Sequence, residues 1–266
     1  MVLWGFYQKP LDDMKIKDRI LPLITIALII ALWYAAASIY GIELILPTPT
    51  TAIGEMIEAF KSNEFWVATA NTLLRSVVAF IIAFVAALAL ALISARFKTF
   101  FKMFYPVVVV LRALPTISVI FICYIAVTGW FRAVIICLLV IFPTLFSSFY
   151  TALKGCEGQL AEVSVVFGVR QRHVLTKYII PSVWNSMYSD VVNTISLTVK
   201  LIIAAEAVTA TGISLGGLMS VAKANIEMGE IFAYTVVAIV VSYLTELIVR
   251  LIARVVKEIS QKCRLR

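Results

Sequence analysis

Glu162-Val163-Ser164-Val165-Val166-Phe167-Gly168, followed thirteen residues after the glycine by Pro181 in Tyr178-Ile179-Ile180-Pro181, is the stretch around which the rest of the chain is organised. Between Lys154 and Pro181 the apolar pattern that dominates this sequence breaks. Leu160, Val163, Val166 and Phe167 recur at helical spacing, interrupted by Gln159, Glu162 and Ser164. Gly168 ends or bends this first helix. Arg170, Gln171, Arg172 and His173 form a basic turn, Val174, Leu175, Tyr178 and Ile179 form a second apolar stripe, and Pro181 opens the next apolar segment. The pattern predicts a helix-turn-helix elbow on the face of a membrane, with an exposed cationic turn suited to docking another protein. Its plainer alternative is an amphipathic connector lying on lipid.

The membrane follows from composition. Of 266 residues, 62% are hydrophobic and only 14% charged, against about 25% charged in a typical soluble domain. Mean hydropathy is +1.01. A soluble fold could not bury so much apolar surface, so the chain reads as an all-α, polytopic membrane protein. The formal charge of +8 does not point to nucleic acid, because the cations sit at the edges of apolar runs, where the positive-inside rule puts them. Cys123, Cys137, Cys156 and Cys263 contain no C-x-x-C pair, and a disulfide or zinc framework is not expected. The first apolar run follows Lys9, Lys15, Lys17 and Arg19 and shows no small-residue cleavage site, so it reads as a retained span.

Six segments approach the roughly 20 residues that a bilayer requires: 20–40, 67–95, 104–127, 132–153, 182–210 and 231–256. They divide the chain into an N-terminal segment 1–19, a six-helix domain 20–256 containing the elbow 154–181, and a tail 257–266. With the N-terminus placed in the cytoplasm, 17 Lys and Arg residues fall on the inner side and 3 on the outer side. That imbalance predicts both termini inside. Of the outer segments, Leu46-Pro47-Thr48-Pro49-Thr50 starts a short surface helix with Thr50 as its expected cap. Thr211-Gly212-Ile213-Ser214-Leu215-Gly216-Gly217-Leu218 holds three glycines in six residues, which predicts a tight turn or a close backbone approach. It reads either as a re-entrant turn packing the fifth span on the sixth or as a gate.

The elbow resembles the cytoplasmic loop of permease subunits of type I ABC importers, which has the form E-A-A-x(3)-G-x(9)-I-x-L-P. Glu162, Gly168 and Pro181 match at the family's spacing. Tyr178 and Ile180 stand where the family has Ile and Leu, and Val163 and Ser164 replace its two alanines. Leu46-Pro47-Thr48-Pro49, Asn71-Thr72-Leu73-Leu74-Arg75, Arg112-Ala113-Leu114-Pro115, Ala205-Glu206 and Gly216-Gly217-Leu218 resemble the nitrate/sulfonate/taurine-type branch. The resemblance spans about residues 20–254.

It implies the type I importer permease fold: six transmembrane helices with a cytoplasmic coupling helix, in a bacterial inner membrane. The coupling residues would be Glu162, Ser164, Gly168, Val169, Arg170 and Pro181. The implied partners are two cytoplasmic ATPase subunits, a second permease copy in a homodimer, and an external solute-binding protein, with no nucleic acid. The chain itself has no G-x(4)-G-K-[ST] phosphate loop. It therefore reads as a transport subunit rather than an enzyme and as binding no cofactor, with ATP-Mg held by the partner ATPase. The implied solute is a small anion or small organic molecule.

Ionisable groups inside spans cost about 2.5–3.5 kcal/mol each on insertion scales and are therefore candidates for function. Asp190, Lys200 and Glu206 all fall in the fifth span. One reading lines a solute path with them, Lys200 offering its cation to an anionic solute. The other pairs them with neighbouring helices as packing elements. Arg75 and Arg112 read as snorkelling or structural residues, Glu246 as an interhelical partner, and Pro115 and Pro143 as sites of kinked or broken helices. With His173 the sole histidine, neither a metal site nor a catalytic centre is expected. A stand-alone secondary transporter would call for an internal repeat, and a membrane enzyme for a catalytic cluster. Neither pattern is evident, and the importer permease reading accounts for the elbow, the topology and the missing phosphate loop together.

Overall fold

The computed structural model describes residues 16–156 and 180–264. Among the described residues every regular element is helical: α1 Ile16–Tyr40, α2 Pro49–Lys61, α3 Asn63–Arg96, α4 Lys98–Ala113, α5 Thr116–Ala126, α6 Phe131–Cys156, α7 Ile180–Thr209, α8 Leu215–Ala224 and α9 Met228–Arg264. Five of them (α1, α3, α6, α7 and α9) are long and apolar enough to cross a bilayer alone, and α4 with α5, apolar enough together but sharply bent, form either one broken span, which would be the sixth, or a re-entrant loop. Five of the six expected spans fall on these five helices, and the third, 104–127, falls on the α4–α5 pair. In this solvent only structures that satisfy their own backbone hydrogen bonds can span, and helices do so within one segment.

The bend between α4 and α5 is 99° and lies at Pro115, where a break was expected. Leu114 has left the helical conformation (ψ 127°), as residues preceding proline tend to. Pro115 then starts α5, its carbonyl accepting from the backbone N–H groups of Ser118 and Val119. Pro143 behaves differently, since α6 runs through it as one helix.

The centre of the bundle is α6, which packs most extensively against α3 and α7. Sequence explains how closely α3 approaches. Ala79, Ala83, Ala87 and Ala91 recur every fourth residue, and all are fully buried. Small side chains on one helical stripe let a neighbouring backbone come near, the main source of helix association in lipid. The large buried side chains Ile141, Leu145, Phe146 and Phe149 of α6 belong to the same core. Tyr150 stacks on Phe101 of α4 with ring centroids 4.2 Å apart. A second, smaller core joins Phe65, Val199, Ile203, Leu215 and Tyr234 at the end of the bundle where α2 and α8 lie.

Most of the exposed surface of the long helices is apolar, as lipid contact requires. Nearly all of α1 is exposed. It is held through Trp33, whose Nε1–H donates to the Pro47 carbonyl at 3.0 Å and whose ring stacks on Phe232 of α9. Two local expectations need correction. Thr48, not Thr50, caps α2: its Oγ1 accepts from the Thr51 N–H at 3.3 Å, with Pro49 filling the first helical position. A proline in the first turn lacks only an N–H that would go unsatisfied there, so the Pro47-Thr48-Pro49 order sets the cap one step earlier. The segment after the fifth span is also more than a turn, because it leads into the ten-residue helix α8.

Candidate functional site

On α7 exposed positions recur at Ser186, Asp190, Asn193, Leu197, Lys200, Ala204 and Val208, and Ser189 is exposed beside Asp190. These steps of three or four residues place them on one face of the helix. With Ser189, five of these eight exposed positions are polar or charged. On α6, Thr144, Ser147, Ser148 and Thr151 form a similar stripe, exposed or half-buried. The two stripes meet: Ser148 Oγ donates to Asp190 Oδ2 at 2.5 Å. One residue earlier on α6, Ser147 Oγ accepts from Arg112 Nη1 of α4 at 3.2 Å while donating to the Pro143 carbonyl at 2.8 Å. A belt of polar groups thus crosses three helices at the depth of the apolar spans. Lys200 lies further along the α7 face, exposed and in no ion pair among the described residues.

Such a face cannot rest against hydrocarbon at low cost. Polar and charged groups at membrane depth face a water-filled cavity or another polypeptide. The belt is therefore the strongest candidate for a path or an interface. Of the residues singled out from sequence, it brings Asp190 and Lys200 onto one face. Sequence reasoning missed Asn193, Thr144, Ser147 and Ser148, although the 144/147/148/151 spacing within an apolar run was visible.

Glu206 is placed elsewhere. Its side chain is fully buried and pairs with Arg75 of α3, Nη1 to Oε1 at 2.6 Å. Its other oxygen accepts from Thr72 Oγ1 at 2.8 Å and from the Gly216 N–H at 3.4 Å. Thr72 Oγ1 in turn accepts from the Leu215 N–H at 2.9 Å. One carboxylate thus gathers α3, α7 and the first turn of α8. Asn71 Nδ2 adds a bond to the Ile213 carbonyl at 3.0 Å. Ser214 caps α8 by accepting from the Gly217 N–H at 3.0 Å. Arg75 does not snorkel. It is buried, with its guanidinium carbon 5.6 Å from the centre of the Trp130 ring.

Gly216 is needed at this junction. A Cβ there would overlap the Ile203 carbonyl oxygen and stand 2.5 Å from Glu206 Cβ and 2.6 Å from the Ala207 nitrogen. At Gly217 it would overlap the Gly212 carbonyl oxygen. The close approach expected from the glycine-rich run is present, within a helix that the run did not announce. Arg132 closes the neighbouring side, donating from Nη1 to the Thr209 carbonyl at 3.2 Å and from Nε to the Val127 carbonyl at 2.7 Å. Its guanidinium lies over the Tyr124 ring at 4.8 Å.

Glu246, expected to reach another helix, pairs within α9, accepting from Arg250 Nη2 at 2.5 Å. Among the described residues no group of three or more His, Cys, Asp or Glu side chains is placed to hold a metal ion. Pro181 is the second residue of α7. The other elbow residues, Glu162, Ser164, Gly168, Val169 and Arg170, lie outside the described residues.

The family model described as binding-protein-dependent transport system inner membrane component matches residues 79–258. That range begins in the Ala79–Ala91 stripe and takes in the polar belt, the elbow, α8 and most of α9. No curated protein matches the chain.

Proposed function

The chain belongs to the binding-protein-dependent transport system inner membrane component family, and from that membership we propose that it forms the solute path of an ATP-driven importer. Family and helices together make it a multi-pass inner-membrane permease subunit. Beyond this, the reading is our own. The polar belt of α4, α6 and α7 carries it. A path needs polar groups at membrane depth, and a permease needs them on a face that closes against a second copy. Arg112, Ser147, Ser148, Asp190, Asn193 and Lys200 supply such a face. A homodimer would set two of these faces against each other across a two-fold axis, the commonest symmetry of soluble oligomers.

In this reading an external binding protein delivers a small anion or small organic molecule. Two cations, Arg112 and Lys200, against the single carboxylate of Asp190 favour an anion. The elbow docks in two cytoplasmic ATPase subunits through Glu162, Ser164, Gly168, Val169 and Arg170. Pro181, at the start of α7, passes their closure into the helix that carries the path as a rigid-body displacement. ATP-Mg belongs to the ATPase. Both termini face the cytoplasm of a bacterial cell, as the lysine and arginine distribution favours. The Arg75–Glu206 pair serves as the anchor against which α7 moves, and Glu206 is not itself a solute ligand.

The test is reconstitution in proteoliposomes with the ATPase encoded beside the gene, comparing wild type with Gly168→Asp and Lys200→Ala. The reading expects Gly168→Asp to lose the bound ATPase and Lys200→Ala to keep it while uptake falls. Uptake by the purified chain without ATP would replace the importer with a secondary transporter.

A further inference from the structure

We propose that the groove between α3, α7 and α9 holds an acyl chain of a bilayer lipid as a fixed part of the permease. The groove has a volume of about 320 Å³ and is lined by Phe80 and Phe84 of α3, Trp184, Val191 and Ile195 of α7, and Ile252 of α9, with no polar atom facing it. That volume is in the range of a small-molecule site, but such sites carry a few placed polar groups and this one has none. Except for Trp184, these residues lie within stretches long and apolar enough to span. Water gains no partners there, and an empty groove would forfeit the dispersion contacts of its walls. Hydrocarbon is the occupant that a bilayer supplies.

The position of the groove on α7 separates lipid from a second copy. Trp184, Val191 and Ile195 occupy one face of the helix. Asp190, Asn193, Leu197 and Lys200 occupy the other, roughly 180° away at about 100° per residue. This step rests on the proposed dimer. A second copy meeting the polar face through one self-complementary patch leaves the opposite face of the same helix towards lipid. The chain would then lie along the first turns of α7, directly after Pro181.

The experiment uses the full-length permease complex, purified through exhaustive detergent washing. Native mass spectrometry and lipid extraction are applied to wild type and to Ile195→Phe and Ile252→Phe, which fill the groove from opposite walls. Phospholipid retained by wild type and lost from both variants supports the proposal. Wild type carrying no retained phospholipid overturns it, whatever the variants do. Single-cysteine versions lacking the native cysteines, with Ile81→Cys at a further α3 residue lining the groove or Asn193→Cys on the polar face, are oxidised in membranes. Cross-linking between copies through Ile81→Cys would put a second copy in the groove and overturn the proposal. Cross-linking through Asn193→Cys without retained lipid would leave the dimer standing and the lipid site refuted. Retained lipid without the Asn193→Cys cross-link would do the reverse.

Discussion

Arg75 and Glu206, 131 residues apart in sequence, meet at 2.6 Å with their side chains 5% and 0% exposed. Each charge is costly where it stands, and each is acceptable because of the other. Thr72 and the Gly216 N–H occupy the second carboxylate oxygen, so the pair is also a hub at which α3, α7 and α8 are joined.

Breaking the hub from one side should cost more than removing it whole. Arg75→Met leaves a buried carboxylate without its counter-charge, a change that typically costs about 3–5 kcal/mol. The double variant Arg75→Met/Glu206→Met removes both charges and should recover part of that loss. Thr72→Val deletes only hydrogen bonds, which average about 0.6 and reach about 1.7 kcal/mol within membranes. Thermal unfolding of the four proteins in one detergent checks the order: Arg75→Met least stable, Thr72→Val nearest wild type.

Gly216→Ala should disturb the same junction by sterics alone. The added methyl meets backbone atoms of Ile203 and Ala207, which cannot swing away as a flexible side chain could. Gly54→Ala in α2 is the control, because a Cβ there meets nothing within 4 Å and the change favours helix by about 0.5–1 kcal/mol. The expected result is a lower melting temperature and lower uptake for Gly216→Ala, and an unchanged or slightly raised melting temperature for Gly54→Ala.

The spans were legible in the sequence because bilayer thickness sets a length that hydropathy reports directly. The break at Pro115 was legible because proline's missing N–H acts locally. Helix α8 was not. Leu215–Ala224 is too short to register as a span, and Gly216-Gly217 reads as a turn until Ile203 and Glu206 are seen pressing on it. Of the two roles expected of Arg75 the structural contact holds and snorkelling does not, but its partner was not legible, because nothing local discloses a carboxylate on another helix. Asp190 and Lys200 stood out because charge is rare in an apolar run. The serines and threonines facing them on α6 did not, since Ser and Thr inside a membrane helix can bond their own backbone, as Ser147 does to Pro143.

The capping assignment on α2 can be checked separately. Thr48 Oγ1 accepts from the Thr51 N–H, whereas Thr50 Oγ1 only shares a hydrogen bond with the Thr48 hydroxyl. Thr48→Ala should therefore destabilise α2 by about 1 kcal/mol, and Thr50→Ala by much less. Hydrogen exchange over Pro49–Lys61 in detergent resolves the two. Equal protection in both variants would return the cap to an open question between the two threonines.

Asp190 and Lys200 share a face of α7 but should fail differently. Asp190 is held by Ser148, so Asp190→Asn keeps a hydrogen-bonding group of nearly the same shape and removes only charge. If the path conducts an anion, removing that carboxylate should leave uptake unchanged or raise it. Lys200→Ala removes one of the two cations on the belt and should lower uptake, with Lys200→Arg retaining more activity than alanine. Because both positions lie outside the elbow, ATPase bound per permease should stay at the wild-type level in every variant. Initial uptake rates in proteoliposomes, normalised to bound ATPase, separate the cases. A fall for Asp190→Asn alongside no change for Lys200→Ala would reverse the preferred charge of the solute.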